Sequence, residues 1–209
     1  DLGWEYLAIT DHSKAVRVAN GLDADRLAAQ IDEIDALGEE LDGIALLKSV
    51  EVDILEDGSL DLGDDILSRL DLVLCAIHSH FELSREKQTG RVLRAMDNPN
   101  VTVLAHPTGR LIGSREPYAI DLEKIIGHAK ETGCALEINA QPHRLDLDDA
   151  HARMARDAGV MLSIGTDAHS TDQLRFMRHG IGQARRGWVT AEDVLNTRPL
   201  SELRKLVTR

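Results

Sequence analysis

The chain has 209 residues, enough to bury one sizeable core, and reads as a single domain over 1–209. Its 24 Lys and Arg against 36 Asp and Glu leave a net charge of −12, which argues against a basic nucleic-acid-wrapping module, and aromatics at 3% are too few for base-stacking platforms. No apolar run approaches the roughly 18 residues of a membrane span, no secretory signal pattern is present, and two cysteines, Cys75 and Cys134, make neither a disulfide framework nor a Cys-rich zinc site, so a reducing, cytoplasmic setting is the expectation.

Short apolar runs alternate with amphipathic stretches along the chain. Tyr6–Ile9 is strand-like, and Leu22, Leu27, Ile31, Ile34, Leu37 and Leu41 recur at helical spacing. Ile44–Leu55 and Leu72–Ile77 give the second and third strands, with the acidic run Asp57–Asp65 between them read as a solvated turn. Ser84–Met96 is helical and Val101–Ala105 is the fourth strand. Asp121 caps a helix that Gly133 ends, and Ala135–Ile138 is the fifth strand. Asp148–Ala158, ended by Gly159, is helical, and Val160–Ile164 is the sixth strand. Leu174 and Met177 mark a short helix, Ile181–Ala184 reads as a last short strand, Thr190 with Asp193 resembles a capping box opening a further helix, and Pro199 starts the C-terminal one.

Apolar strands alternating with helices indicate an α/β fold whose parallel sheet is covered by helices, either a closed β/α barrel or an open doubly wound sheet. The strand ends are the informative positions, because each carries a polar or ionisable residue. Asp11 and His12 come after the first strand, Glu51 and Asp53 close the second, His78 and His80 come after the third, His106 after the fourth, Asn139 after the fifth, and Asp167 and His169 after the sixth. In both architectures the carboxyl ends of the strands gather on one face, where active sites sit. A mixed imidazole and carboxylate set without cysteine suits zinc, manganese or iron and points to metal-dependent hydrolysis. His128 and His151 fall inside predicted helices as surface residues, His179 sits near a helix C-terminus, and His143 lies on a loop.

The segments Ile9-Thr10-Asp11-His12, Val50-Glu51-Val52-Asp53, Ile77-His78-Ser79-His80-Phe81, Ala105-His106-Pro107 and Thr166-Asp167-Ala168-His169-Ser170 resemble the PHP (polymerase and histidinol phosphatase) superfamily. Within it, the stretches His106–Leu111, Arg115–Tyr118, Leu136–Ala140 and Ala184–Trp188 are most similar to the C-terminal PHP domain of bacterial family X DNA polymerases. The resemblance implies a distorted β/α barrel of about seven strands with up to three divalent ions, manganese or zinc. It implies that Glu51 bridges two metals, that His78 and His106 complete one, that Asp167 serves the other, and that His12 and His169 hold the third. Glu51, His78, His106 and Asp167 are then the catalytic set. Arg110, Arg115 and Arg144 are expected phosphate contacts, and His80 matches a further family histidine that either supports the ligands from behind or faces substrate.

The family begins with a His-x-His strand that has no counterpart here, so the chain from Asp1 reads as a PHP domain lacking its first β-α unit. On that reading the Asp167 metal forgoes two ligands and the third metal one. The implied activity is metal-dependent hydrolysis at DNA 3′ ends, of the 3′→5′ exonuclease or 3′-phosphatase type in DNA repair. The implied partners are upstream polymerase and helix-hairpin-helix modules, which would bring a −12 chain to the DNA of the nucleoid. Two alternatives stand beside it: a small-molecule phosphatase of the histidinol phosphatase type, and an inactive PHP scaffold.

Overall fold

The computed structural model describes residues 2–207; Asp1, on which the reading of the chain start turns, lies outside them. Six strands, β1 (Tyr6–His12), β2 (Ala45–Asp53), β3 (Leu72–Ala76), β4 (Val103–Leu104), β5 (Ala135–Asn139) and β6 (Leu162–Gly165), form one parallel sheet in the order β1-β2-β3-β4-β5-β6. A doubly wound sheet reverses its strand order part-way. Here each strand pairs with the next in sequence, which curls the sheet into a half-barrel with helices outside. This is the PHP-type barrel-like α/β architecture that the resemblance implies, with six strands among the described residues.

The helices begin where the sequence supplies caps. Asp23 accepts from the Arg26 N–H at 3.0 Å to open α1 (Ala24–Glu40), which buries Leu27, Ile31 and Ile34. A short α2 (Asp64–Leu67) precedes β3. Ser84 opens α3 (Arg85–Met96), Asp121 opens α4 (Leu122–Thr132), and Asp148 opens α5 (Asp149–Asp157). Gly133, at φ 70°, ends α4 in the left-handed region that glycine tolerates best. These helices pack on the outer face of the sheet and form the larger of two apolar clusters, which includes Val50, Val52, Cys75, Leu104, Leu136 and Ile138.

Two segments differ from expectation. Ile181–Ala184 lies inside α6 (Met177–Arg186), because Gly180 and Ala184 pack against the sheet at helical spacing; a Cβ at Gly180 would collide with Ile164 Cγ2. His179 falls in the first turn of α6, three residues past the end of a 3-10 helix over Thr171–Phe176. The Thr190–Asp193 box exists, with Asp193 Oδ2 accepting from the Thr190 N–H at 2.7 Å, but it opens only a 3-10 turn over Ala191–Asp193.

The inner face of the half-barrel changes character along the strands. Side chains alternate between faces with period two, so Tyr6, Ala8, Thr10 and His12 share the inner face with Leu47, Ser49, Glu51 and Asp53, which the β1–β2 register places alongside. At the amino-terminal end this face is apolar. Leu47, Val103 and Ala135 pack there against Leu195 and Leu203, so that α7 (Leu200–Val207) and the turn before it close the bottom of the half-barrel. Tyr6 Oη donates to the Arg198 carbonyl at 2.8 Å and fixes that closure to β1. At the carboxyl-terminal end the same face carries the His and acidic residues.

The free edge of β6 does not stand open, contrary to the unpaired edge that a missing strand predicts. Leu162 bridges Val194, and the Asn196 side chain accepts from the Ile164 N–H and donates to the Ile164 carbonyl, both at 2.9 Å. Asn196→Ala strips both bonds from a buried strand and is expected to cost about 2 kcal/mol, read as a lower denaturation midpoint at unchanged m. A midpoint equal to that of the parent would show that the bridge, not the amide, guards the edge.

Candidate metal centre

The centre is organised by Glu51, one strand in from the β1 edge and 8% exposed. Its Oε1 lies 2.8 Å from His106 Nε2 and 3.0 Å from His78 Nε2, and its Oε2 lies 4.0 Å from His12 Nδ1. The three imidazoles come from three different strand ends: His12 closes β1, His78 follows β3 by two residues, and His106 follows β4 by two. His12 and His78 meet edge to face at 4.9 Å between ring centroids, and His78 and His106 at 5.3 Å.

Burial alone would push the Glu51 carboxyl up, but the neighbouring His106 and His78 outweigh it and hold the group well below the ordinary carboxylate range. Burial likewise opposes charge on His78. Its bonds to Asp53 and Glu51 prevail, and the imidazole is pushed up to about 9. The Asp53 bond is specific: Asp53 Oδ1 lies 3.0 Å from His78 Nδ1 and accepts from the His78 N–H at 3.1 Å, fixing both ring and backbone. His12 is pushed down by burial and by the nearby His78 and His169, against the pull of Glu51 and Asp167.

The donor set fits a divalent cation. His12 Nδ1 is a buried ring nitrogen with no hydrogen-bond partner, which is costly unless a proton or a cation takes its lone pair, while His78 Nε2 and His106 Nε2 point at the Glu51 carboxylate. His12, Glu51 and His78 each offer a ligand atom within 4.8 Å of the other two. Asp53 would act behind His78 as the carboxylate that orients a ligating imidazole.

A second group forms around Asp167, which follows β6. Its Oδ2 accepts from Asn139 Nδ2 at 3.2 Å and lies 3.2 Å from Arg144 Nε, while its carbonyl accepts from Gln141 Nε2 at 2.5 Å. His169 Nδ1 is 2.9 Å from the same carbonyl, and the His12 and His169 rings are 6.3 Å apart, so His12 links the two groups. Asp167 and His106 both have positive φ, 48° and 27°, a conformation costing about 1–3 kcal/mol that persists only where the surroundings impose it. Glu137 Oε2 imposes it on His106 by accepting its N–H at 2.7 Å.

Glu137 was not among the residues that strand ends single out, because it lies inside an apolar strand. Its position two before Asn139, on the same face, was the available signal. Burial, reinforced by the Asp167 and Glu51 carboxylates and opposed by His106, pushes its carboxyl up to about 7. Gly165 makes room for it, since a Cβ there would overlap Glu137 Oε1.

The three arginines occupy different situations. Arg144 is ion-paired to Asp167 through Nε, with a buried Nη1 that has no hydrogen-bond partner. Arg110 donates to the Arg144 and Leu145 carbonyls and so braces the loop that carries Arg144. Arg115 lies over the Phe81 ring at 4.3 Å and donates to the Gly109 carbonyl at 2.7 Å. His80 is exposed, with positive φ and 3.7 Å from Glu56. Away from the centre, His128 bonds Asp97 and His151 bonds Asp148 on the surface, and both cysteines are buried. No described helix is long and apolar enough to cross a membrane.

No protein-family model matches the chain. Among curated proteins it is 46% identical over 207 residues to a DNA polymerase/3′-5′ exonuclease of Bacillus subtilis, covering 99% of this chain but 36% of that protein. It is 30% identical over 205 residues to a probable phosphatase of a Thermoanaerobacter species, covering 93% of this chain and 79% of that protein. A probable phosphatase of Acetivibrio thermocellus is 31% identical over 185 residues, 84% and 72% of the two chains. With this coverage, and with its His and acidic residues gathered at the carboxyl ends of one parallel sheet, the chain belongs to the family of these bacterial phosphatases.

Proposed function

We propose that the chain is a PHP-type, metal-dependent phosphoesterase domain of a family X DNA polymerase, hydrolysing phosphoesters at DNA 3′ ends in repair. The observation that carries this reading is the convergence of three imidazoles on one buried carboxylate, with His12, Glu51 and His78 each offering a ligand atom within 4.8 Å of the other two. The similarity to a polymerase/3′-5′ exonuclease over nearly the whole chain supports the DNA substrate. In the parent protein, polymerase and helix-hairpin-helix modules would supply the DNA affinity that a −12 domain lacks, with the nucleoid as the place of action.

Glu51, His78 and His106 would hold one manganese or zinc ion, Asp167 a second, and His12 and His169 a third. Bound there, such ions polarise a phosphoryl oxygen and lower the pKa of a coordinated water. The chain's own groups do the rest. Asp53 fixes the tautomer of His78 by taking its Nδ1 proton in a hydrogen bond, and Glu137 fixes His106 through its N–H. Arg144, ion-paired to Asp167 through Nε and with a buried Nη1 that has no hydrogen-bond partner, is placed to take a non-bridging phosphate oxygen in a charge-assisted bond. Arg110 holds the Arg144 loop in place. Arg115 and His80 line the approach.

The probable phosphatases, similar over 93% and 84% of this chain, favour one second reading, a small-molecule phosphatase. Manganese-dependent release from a 3′-recessed duplex, compared with release from histidinol phosphate, separates the two. Preference for the duplex supports the first reading, and preference for the small ester overturns it.

Two outcomes are expected. Glu51→Gln keeps the shape but removes the charge on which the imidazoles converge. Hydrolysis in the full-length protein should fall by about 10²-fold or more, the loss associated with one essential electrostatic group, with metal content per chain falling alongside. Parent-like activity would reject the centre. The second outcome concerns His78. A group raised from 6.5 to about 9 is protonated in the metal-free protein at pH 7, so a cation taking Nε2 must expel a proton. Calorimetric titration with zinc at pH 7 in buffers of differing ionisation enthalpy should register proton release, and affinity should rise with pH up to about 9. In the metal-free protein the stabilisation from His78 is complete below 6.5 and is lost as pH climbs through about 9.

A further inference from the structure

The Asp57–Asp65 run reads as a solvated turn, but Asp61 within it is only 7% exposed. It faces a cavity of about 530 Å³ between the loops that follow β1 and β2, lined by Lys14, Ala15, Arg17, Leu55, Leu60 and Asp61. That volume falls in the range of roughly 300–1,000 Å³ typical of small-ligand sites. The cavity adjoins the metal centre through covalent and hydrogen-bonded links. Lys14 is two residues beyond His12, a reach of about 7 Å. The Asp61 N–H donates to the Asp53 carbonyl at 3.2 Å, and the Ser13 N–H donates to the Glu51 carbonyl at 3.1 Å.

The walls carry three chemistries. Asp61 Oδ2 accepts from the Ala15 N–H at 2.7 Å, whereas Oδ1 is buried with no partner and can only accept. Lys14 and Arg17 make no ion pair and no side-chain hydrogen bond among the described residues, although the chain has twelve more acidic than basic residues. Leu55 and Leu60 supply an apolar wall. A ligand that satisfies all three has an anion, a flat or apolar body, and an N–H or O–H donor.

We propose that this cavity is a nucleotide subsite that holds the nucleotide next to the scissile phosphoester of a single strand. Lys14 and Arg17 take its phosphate, Leu55 and Leu60 cover its base or sugar, and Asp61 Oδ1 accepts from a base amino group or sugar hydroxyl. The cations stand apart from the metal centre, so they serve a second phosphate, which a nucleic-acid strand has and a small phosphomonoester lacks. The inference rests on the phosphoesterase reading of the centre and extends it to substrate selection.

The test uses the full-length protein, a 3′-labelled single-stranded oligonucleotide, and bis(p-nitrophenyl) phosphate as an ester with no second phosphate for Lys14 and Arg17. The double substitution Lys14→Ala/Arg17→Ala should raise KM for the oligonucleotide about tenfold, the loss of roughly one charged hydrogen bond. Turnover of the small ester should stay unchanged. The slope of log affinity against log salt should shrink by about 0.7, the value for one neutralised phosphate on a single strand. Asp61→Asn keeps an acceptor for Ala15 and turns the other oxygen into a donor, and should weaken oligonucleotide binding alone. Equal losses on both substrates, or none on the oligonucleotide, would overturn the subsite. If the unsubstituted protein with manganese hydrolyses neither substrate, the phosphoesterase reading fails by itself. Oligonucleotide binding in EDTA then decides the cavity: binding weakened by the double substitution and by salt supports it, and binding indifferent to both overturns it.

Discussion

The carboxylate of Glu51 is buried at the carboxyl end of a sheet, where an isolated charge would cost several kcal/mol of lost hydration. It is tolerable because imidazoles from three other strand ends, at positions 12, 78 and 106, surround it. The burial therefore ties β1, β2, β3 and the turn after β4 into one arrangement. Displacing any of these strands would leave either a bare carboxylate or a bare ring nitrogen in the interior. The network is not saturated from within, since His12 Nδ1 and His106 Nδ1 lack hydrogen-bond partners. The centre is thus stable enough to be built and incomplete enough to bind.

The same strands perform two jobs at their two ends. At the amino-terminal end the inner face is apolar, and α7 and the turn before it cover it. At the carboxyl-terminal end the face is polar and the helices leave it uncovered. Parallel pairing makes this division possible, because it keeps every strand pointing the same way and so collects all the strand ends on one rim. Two of the groups collected there, His106 and Asp167, need a backbone that non-glycine residues avoid, and their neighbours supply the restraint. Glu137 holds the His106 N–H, and Gln141 and Asn139 hold Asp167.

The position of an arginine on a loop after a strand does not fix its role. Arg110, Arg115 and Arg144 look equivalent as loop cations. In the folded chain Arg110 is spent on backbone carbonyls, Arg115 rests on Phe81 above the Gly109 turn, and Arg144, ion-paired to Asp167 through Nε, alone keeps a buried Nη1 without a hydrogen-bond partner. Gly109 itself is required by that turn, with φ at 62° and the Tyr118 ring standing where a Cβ would be. Arg91 carries no motif. It is 2% exposed and donates to the Ile54, Leu55 and Ser79 carbonyls, joining the loop after Asp53 to the loop after His78.

Local information was sufficient for the alternation of strands and helices, for the cap at Asp121 and the helix starts at Ser84 and Asp148, and for the inventory of His and acidic residues at strand ends. Capping and period-two alternation act within a few residues, so they are written in the chain's order. Tertiary structure decided the remainder. It made Ile181–Ala184 a helix rather than a strand, because Gly180 and Ala184 found a sheet to pack on. It also drew Asp61 and Glu137 out of water while leaving Asp57 in it, and it chose which nitrogens of His12, His78 and His106 meet Glu51. Each of those outcomes depends on the solvent exposure and distance of groups far apart in sequence, quantities that exist only once the sheet has closed around them.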